Sequence, residues 1–210
     1  MKRDGHMRVL LIAETNWLEN LVLVQDTASA YLARLARTSE IEIAVPEYSF
    51  HEADGSLNRK HNKRAYKVDE ALSLLGHISQ TEHHGELCEN SRAILKDLKK
   101  SMSNDRSKIK RVLDKIKSMA RVVPYTSDAS TRAELIFESA CPPFKESDCR
   151  IYASILMFIE QIRAEYDLIM FYTEDKEDFD HPEIHDEFGD HGVEIVFESG
   201  LCVKRARGAG

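Results

Sequence analysis

Four stretches of this chain set acids just beyond a short apolar run or at the head of an apolar helical pattern. Glu14, followed by Thr15 and Asn16, ends Arg8-Val-Leu-Leu-Ile-Ala; Glu52 stands six residues after Pro46, which closes Ile41 to Val45. Asp148 heads a segment in which Ile151, Tyr152, Ile155, Phe158, Ile159 and Ile162 share one helical face. Asp175 follows Leu168-Ile-Met-Phe171, and Asp178-Phe179 comes soon after. Carboxylates crowded within a few ångströms repel one another, so a cluster of them is stable mainly around divalent cations. Oxygen donors select Mg²⁺ or Mn²⁺, and paired ions of this kind activate water and stabilise the leaving oxygen in phosphodiester cleavage. Each acid also has a plainer reading. Thr15 or Asn16 could simply cap a helix starting at Trp17, and Asp148 could be a first-turn acid favoured by the helix dipole.

The elements that would carry these acids read as an α/β chain. Val9 to Ala13 has the aliphatic, β-branched make-up of a strand covered on both faces, which belongs to a parallel sheet. In open parallel sheets ligands bind beyond the carboxyl ends of the strands, where Glu14, Thr15 and Asn16 fall. From Trp17 to Leu35 apolar residues recur every three or four positions, predicting one amphipathic helix. Ile41 to Val45 is a second strand, and Pro46 suits the first position of the helix that follows. Glu52 is then less than two turns into that helix. Residues 58 to 125 show helical periods and no convincing strand, so they read as a helical insertion within a single domain spanning 1–210. Gly76, Gly85 and Ser103-Asn104-Asp105 are its expected breaks, and Arg121 to Tyr125 its connector. Ser130 to Glu138 predicts a helix, and Cys141-Pro142-Pro143-Phe144 an extended loop. Leu168 to Phe171 is another strand, His181 to Phe188 a short helix and Val193 to Phe197 a last strand. Met1 to Met7 is a polar arm with no structural role, and Lys204 to Gly210 a frayed tail.

Composition narrows the class. The chain has 210 residues, 42% hydrophobic and 31% charged, enough to bury a core. Its net charge of −7 conceals an asymmetry. Ser91 to Arg121 holds 11 lysines and arginines against three aspartates, whereas Ser127 to Gly200 holds 19 acids against five basic residues. An acidic, metal-binding part beside a basic part suits an enzyme that acts on a polyanion. Two differently charged wet surfaces are the alternative. Lys108, Lys110, Arg111, Lys115 and Lys117 are the candidate phosphate contacts. The four cysteines lack Cys-x-x-Cys spacing, which argues against a disulfide framework or structural zinc. His181 and His185 lie one helical turn apart but lack a third ligand at zinc spacing. No apolar run reaches membrane-spanning length and no signal peptide is evident, so the expected compartment is the cytoplasm, with no membrane partner.

Taken together, the motifs resemble the PIN domain, a family of metal-dependent ribonucleases. The family's opening strand ends Asp-Thr-Asn, here Glu14-Thr15-Asn16. Pro46 and Glu52 match its proline and a glutamate six residues later, and Asp148 its acid at the start of an apolar helix. Thr173, Asp175 and Asp178-Phe179 match its Thr-x-Asp followed by Asp-Phe. The resemblance covers roughly the first 55 and last 65 residues. It implies a PIN-like three-layer fold, a central parallel sheet flanked by helices, and endonucleolytic hydrolysis of RNA with Mg²⁺ or Mn²⁺. Glu14, Glu52, Asp148 and Asp175 would be catalytic and hold metal, Asp178 would share or take the role of Asp175, and Asn16 and Thr173 would orient the ligands. Glu14 stands where the family has aspartate, and its extra methylene displaces the carboxylate by over an ångström. A toxin with an antitoxin partner, an RNA-processing enzyme and a catalytically impaired RNA- or protein-binding module are the alternatives the resemblance leaves open. A homo-oligomer is compatible with each.

Overall fold

The apolar runs Val9–Ala13 and Leu168–Tyr172 lack the alternation that would leave one face wet, and they pair at the centre of a five-stranded parallel sheet. A computed structural model describes residues 7–80 and 83–208. The strands are β1 (Val9–Ala13), β2 (Glu42–Pro46), β3 (Arg121–Val123), β4 (Leu168–Tyr172) and β5 (Val193–Val196). Their order across the sheet is β3-β2-β1-β4-β5, and all pairs are parallel. The helices are α1 (Thr15–Leu23), α2 (Thr27–Arg37), α3 (Glu47–Ile78), α4 (Gly85–Met102), α5 (Asp105–Met119), α6 (Ser127–Glu138), α7 (Glu146–Ile162), α8 (Lys176–Phe179), α9 (Pro182–Asp190) and α10 (Ser199–Gly208). The fold is therefore α/β with a central parallel sheet flanked by helices, the architecture expected from the sequence.

Contacts divide the chain into two units, Met1–Ala53 with Leu113–Gly210, and Asp54–Val112. In the first unit, Leu10, Ile12, Ile169 and Phe171 point to one face and join Ile151, Ile155, Ile159, Phe179 and Phe188 in one buried cluster. The alternate strand residues Leu11 and Met170 are equally buried, as the two-residue period of a doubly covered sheet requires. The second unit is helical, and among its described residues only Leu57, Cys88 and Ile109 are buried. Within it Lys99 bonds Asp69 at 2.5 Å and Arg106 bonds Asn58 at 3.2 Å. Leu74, Ile94 and Leu98, which the helical periods assign to apolar patches, are exposed.

Several boundaries differ from the sequence reading for identifiable reasons. The helix expected from Trp17 to Leu35 is two helices. Val24 turns into the left-handed region (φ 54°) to end α1, and the Asp26 carboxylate then accepts from the Ala28 and Ser29 amides to start α2. Pro46 is the last residue of β2, not the first of a helix. Gly76 lies inside α3 rather than breaking it, whereas α4 and α5 start at Gly85 and Asp105. Arg121 to Val123, read as connector, is a strand: it pairs with Ala44 to Pro46 and forms the sheet edge. The C-terminal tail is ordered as α10, where fully buried Cys202 docks the helix and Arg205 pairs with Glu194 at 2.8 Å. The polar arm falls, except for Met7, outside the described residues, as do the last two residues of the tail.

Candidate metal centre

The strand order reverses direction between β1 and β4, because β2 and β3 lie on one side of β1 while β4 and β5 lie on the other. Parallel strands diverge into a crevice at such a point, beyond their carboxyl ends. Glu14 is the first residue past β1, and Thr173 the first past β4. Chain topology thus brings both acid-bearing segments to one sheet edge.

Three carboxylates meet there. One oxygen from each of Asp148, Asp175 and Asp178 lies within 4.8 Å of the others. Asp148 sits in the first turn of α7, where the helix N-terminus favours a negative charge. Asp175 caps α8, its Oδ1 accepting the Asp178 amide at 3.1 Å. Thr173 is fully buried, and its Oγ1 accepts the Asp175 amide at 3.0 Å, which fixes the turn that presents Asp175. Asp178 Oδ1 accepts the amides of Phe144 at 2.8 Å and Lys145 at 3.2 Å, tying the loop after Pro142-Pro143 to the acids. Glu174, another acid of this stretch, is turned away to Asn20 Nδ2 (2.8 Å) and the Tyr172 hydroxyl (2.6 Å).

Glu14 and Glu52 are electrostatic neighbours of the triad but lie outside it. Glu14 caps α1: Oε2 accepts the Asn16 amide at 3.1 Å and Oε1 the Asn16 side-chain amide at 2.8 Å. The capping role that the sequence offered to Thr15 or Asn16 thus falls to the acid itself. Thr15 instead donates its hydroxyl to Glu52 Oε2 at 2.6 Å, a link between α1 and α3 that the motif alone did not reveal.

Burial sets the protonation of these groups. It raises the Glu14 carboxyl to about 8, against the two bonds from Asn16, with Asp148 and Glu52 adding repulsion. Asp148 is raised to about 7, again first by burial and then by Asp178 and Glu52. Asp178 goes the other way: burial would raise it, but the Lys145 ammonium and the two backbone amides outweigh burial and hold it below the usual carboxylate range. Lys145 was not singled out from the sequence. Its Nζ lies 2.9 Å from Asp175 Oδ2, contacts Asp178 Oδ2 and stands 3.9 Å from Asp148 Oδ2, and these bonds raise its affinity for a proton. Its only signal in the sequence is a lysine three residues before a first-turn acid.

No family model matches the sequence, and no curated protein matches it. Among solved structures the fold is similar to VapBC2 from Rickettsia felis, crystallised with a DNA fragment from its promoter, with 10% identity and a TM-score of 0.45. The match covers 89% of this chain and 98% of the other.

The basic candidates are exposed along α5. Lys108, Lys110 and Arg111 belong to the helical unit, and Lys115 and Lys117 to the sheet-bearing unit. Lys108 pairs with Asp105 at 3.2 Å, and Lys117 Nζ lies 5.7 Å from the centre of the Phe50 ring. The two histidines go to separate partners, His181 to the Glu177 carbonyl at 2.7 Å and His185 to Asp180 Oδ1 at 2.9 Å. Among the described residues no helix is long and apolar enough to cross a membrane.

Proposed function

We propose that this protein is a PIN-like endoribonuclease that hydrolyses RNA phosphodiester bonds with Mg²⁺ or Mn²⁺. The observation that carries the reading is the convergence of Asp148, Asp175 and Asp178 at the carboxyl edge of the sheet. The donor set fits such a cation: all three donors are carboxylate oxygens, and the Asp148 carboxyl, raised first by burial and then by repulsion from Asp178 and Glu52, is a group whose ionised form an added cation would favour. Asp148, Asp175 and Asp178 would hold it, with Glu14 and Glu52 as further acids of the site. A divalent cation, when bound, supplies water activation and charge stabilisation for phosphodiester hydrolysis.

The chain's own groups do the positioning. Thr173 fixes the turn that carries Asp175, Asn16 holds Glu14, and the Thr15 hydroxyl holds Glu52. The basic residues of α5, Lys108, Lys110, Arg111, Lys115 and Lys117, are the proposed contacts to the RNA backbone. In this reading the helical part of 58–125, which ends with α5 before β3, is an insertion that serves binding rather than cleavage. A toxin held by an antitoxin and a self-sufficient RNA-processing enzyme both fit, acting in the cytoplasm.

One observation favours a second reading, a catalytically impaired RNA- or protein-binding module. Both oxygens of Glu14 are engaged by Asn16, and burial favours its neutral form, so it is a poorer ligand than an aspartate exposed to the cluster. Incubation with mixed structured and single-stranded RNA separates the two. The nuclease cleaves with Mn²⁺, not with chelator, and Asp148→Asn loses at least about a hundredfold in rate while keeping its fold, as expected for removal of an anionic ligand. Retention of RNA without cleavage under any divalent cation supports the binding module.

A further inference from the structure

The Lys145 ammonium stands where a cation would compete for the same lone pairs. It contacts one oxygen each of Asp175 and Asp178 and approaches one of Asp148, so a single positive charge serves three carboxylates. The lysine side chain is 53% exposed, whereas that of Asp178 is 3% exposed. The acids are thus held by the fold, while the lysine is held by its tip and has open solvent beside it. Oδ1 of Asp175 and Oδ1 of Asp178 already accept backbone amides, so a divalent cation would draw on the Oδ2 atoms that Nζ now contacts, and it brings twice the charge of the ammonium.

We propose that Lys145 is a built-in competitor for the divalent cation, partly offsetting the charge of the acid cluster in the cation-free protein and turning out to solvent when the cation binds. The inference rests on the metal-dependent reading above and concerns the regulation of that site. Its release moves the side chain alone, because the Lys145 and Phe144 amides remain bonded to Asp178 Oδ1. The freed ammonium stays tethered beside the cluster, where a phosphate is the partner its charge would next accept.

Calorimetric titration of the full chain with Mn²⁺ tests the idea, comparing wild type, Lys145→Met and Lys176→Met. Lys176 is a suitable control because its ammonium lies over the Phe197 ring, 5.5 Å from its centre, rather than on the carboxylates of the triad. Lys145→Met is expected to bind Mn²⁺ about tenfold more tightly, the gain when a competitor filling the site roughly nine-tenths of the time is removed. Lys176→Met, which loses a nearby charge without vacating the cluster, is expected to change affinity by less than about threefold because exposed charges are screened. Without cation, Lys145→Met should melt below wild type, and Mn²⁺ should raise its melting point by more. Equal Mn²⁺ affinity in wild type and Lys145→Met, or equal tightening in both variants, overturns the competitor while leaving the metal site standing. Absence of Mn²⁺ binding in all three proteins overturns the metal-dependent reading itself, and the competitor with it. Lys145→Gln provides the same comparison if the methionine variant does not fold.

Discussion

Glu14 is an acid in a buried setting that its residue type does not suggest. Its carboxyl, 4% exposed, is raised from 4.5 to about 8. Between those values the folded protein holds a proton that the unfolded chain has released, so the folded state binds more protons and stability must fall as pH rises. The stabilising contribution is complete below about 4.5 and lost as pH passes about 8. Asp148, raised from 3.8 to about 7, acts in the same direction. In chelator, the melting temperature of the wild type is therefore expected to decline from pH 5 to pH 8, and Glu14→Gln should flatten that decline. A profile that rises over this range, or is unchanged by the substitution, would contradict the burial of an uncompensated acid at position 14.

Two elements show how a local pattern acquires or loses meaning. The junction between α1 and α2 depends on Asp26, whose carboxylate accepts two amides at 3.0 and 2.8 Å. Asp26→Ala should cost about 1 kcal/mol in urea unfolding, the usual loss for an N-cap, and leave Mn²⁺ binding unchanged. A neutral result would mean that the apolar stripes of the two helices fix the break unaided. On α5, Ile109, Leu113 and Ile116 are buried while Lys110 and Arg111 face solvent. Lys110→Ala with Arg111→Ala should therefore hardly change stability. If both residues contact phosphates, a plot of log affinity for RNA against log salt should lose a little under one unit of slope per contact, read in a metal that does not support cleavage. Identical slopes in wild type and double variant would leave α5 a solvated face.

At the scale of the whole molecule, the acids depend on a core they do not touch. Phe171, fully buried on β4, has its ring centre 5.1 Å from that of Phe179 and 5.3 Å from that of Phe188. Phe179 is the neighbour of Asp178, so the packing that closes the sheet also seats a member of the triad. Phe171→Ala should cost about 3–5 kcal/mol in urea unfolding and weaken Mn²⁺ binding at the same time. A large stability loss with unaltered Mn²⁺ affinity would show that the site is set by its hydrogen bonds alone. The sequence by itself determined that β1, β2, β4 and β5 are strands and that acids follow closely on β1 and β4, because apolar runs and the residues that stop them are local. It carried the pairing of Thr173 with Asp175 and of Asn16 with Glu14, since those partners are two residues apart. Only the tertiary structure decided the rest. β3 is three residues long and has strand character only because Ala44 to Pro46 lie beside it. Lys145 reaches Asp175 and Asp178 across 30 and 33 residues of chain. Glu14 and Glu52, equal to the other acids in the sequence, stand outside the triad, Glu14 capping α1 and Glu52 accepting from the Thr15 hydroxyl. Which carboxylates share a cation is a matter of distances of a few ångströms, and those are set by packing between segments that no local pattern encodes.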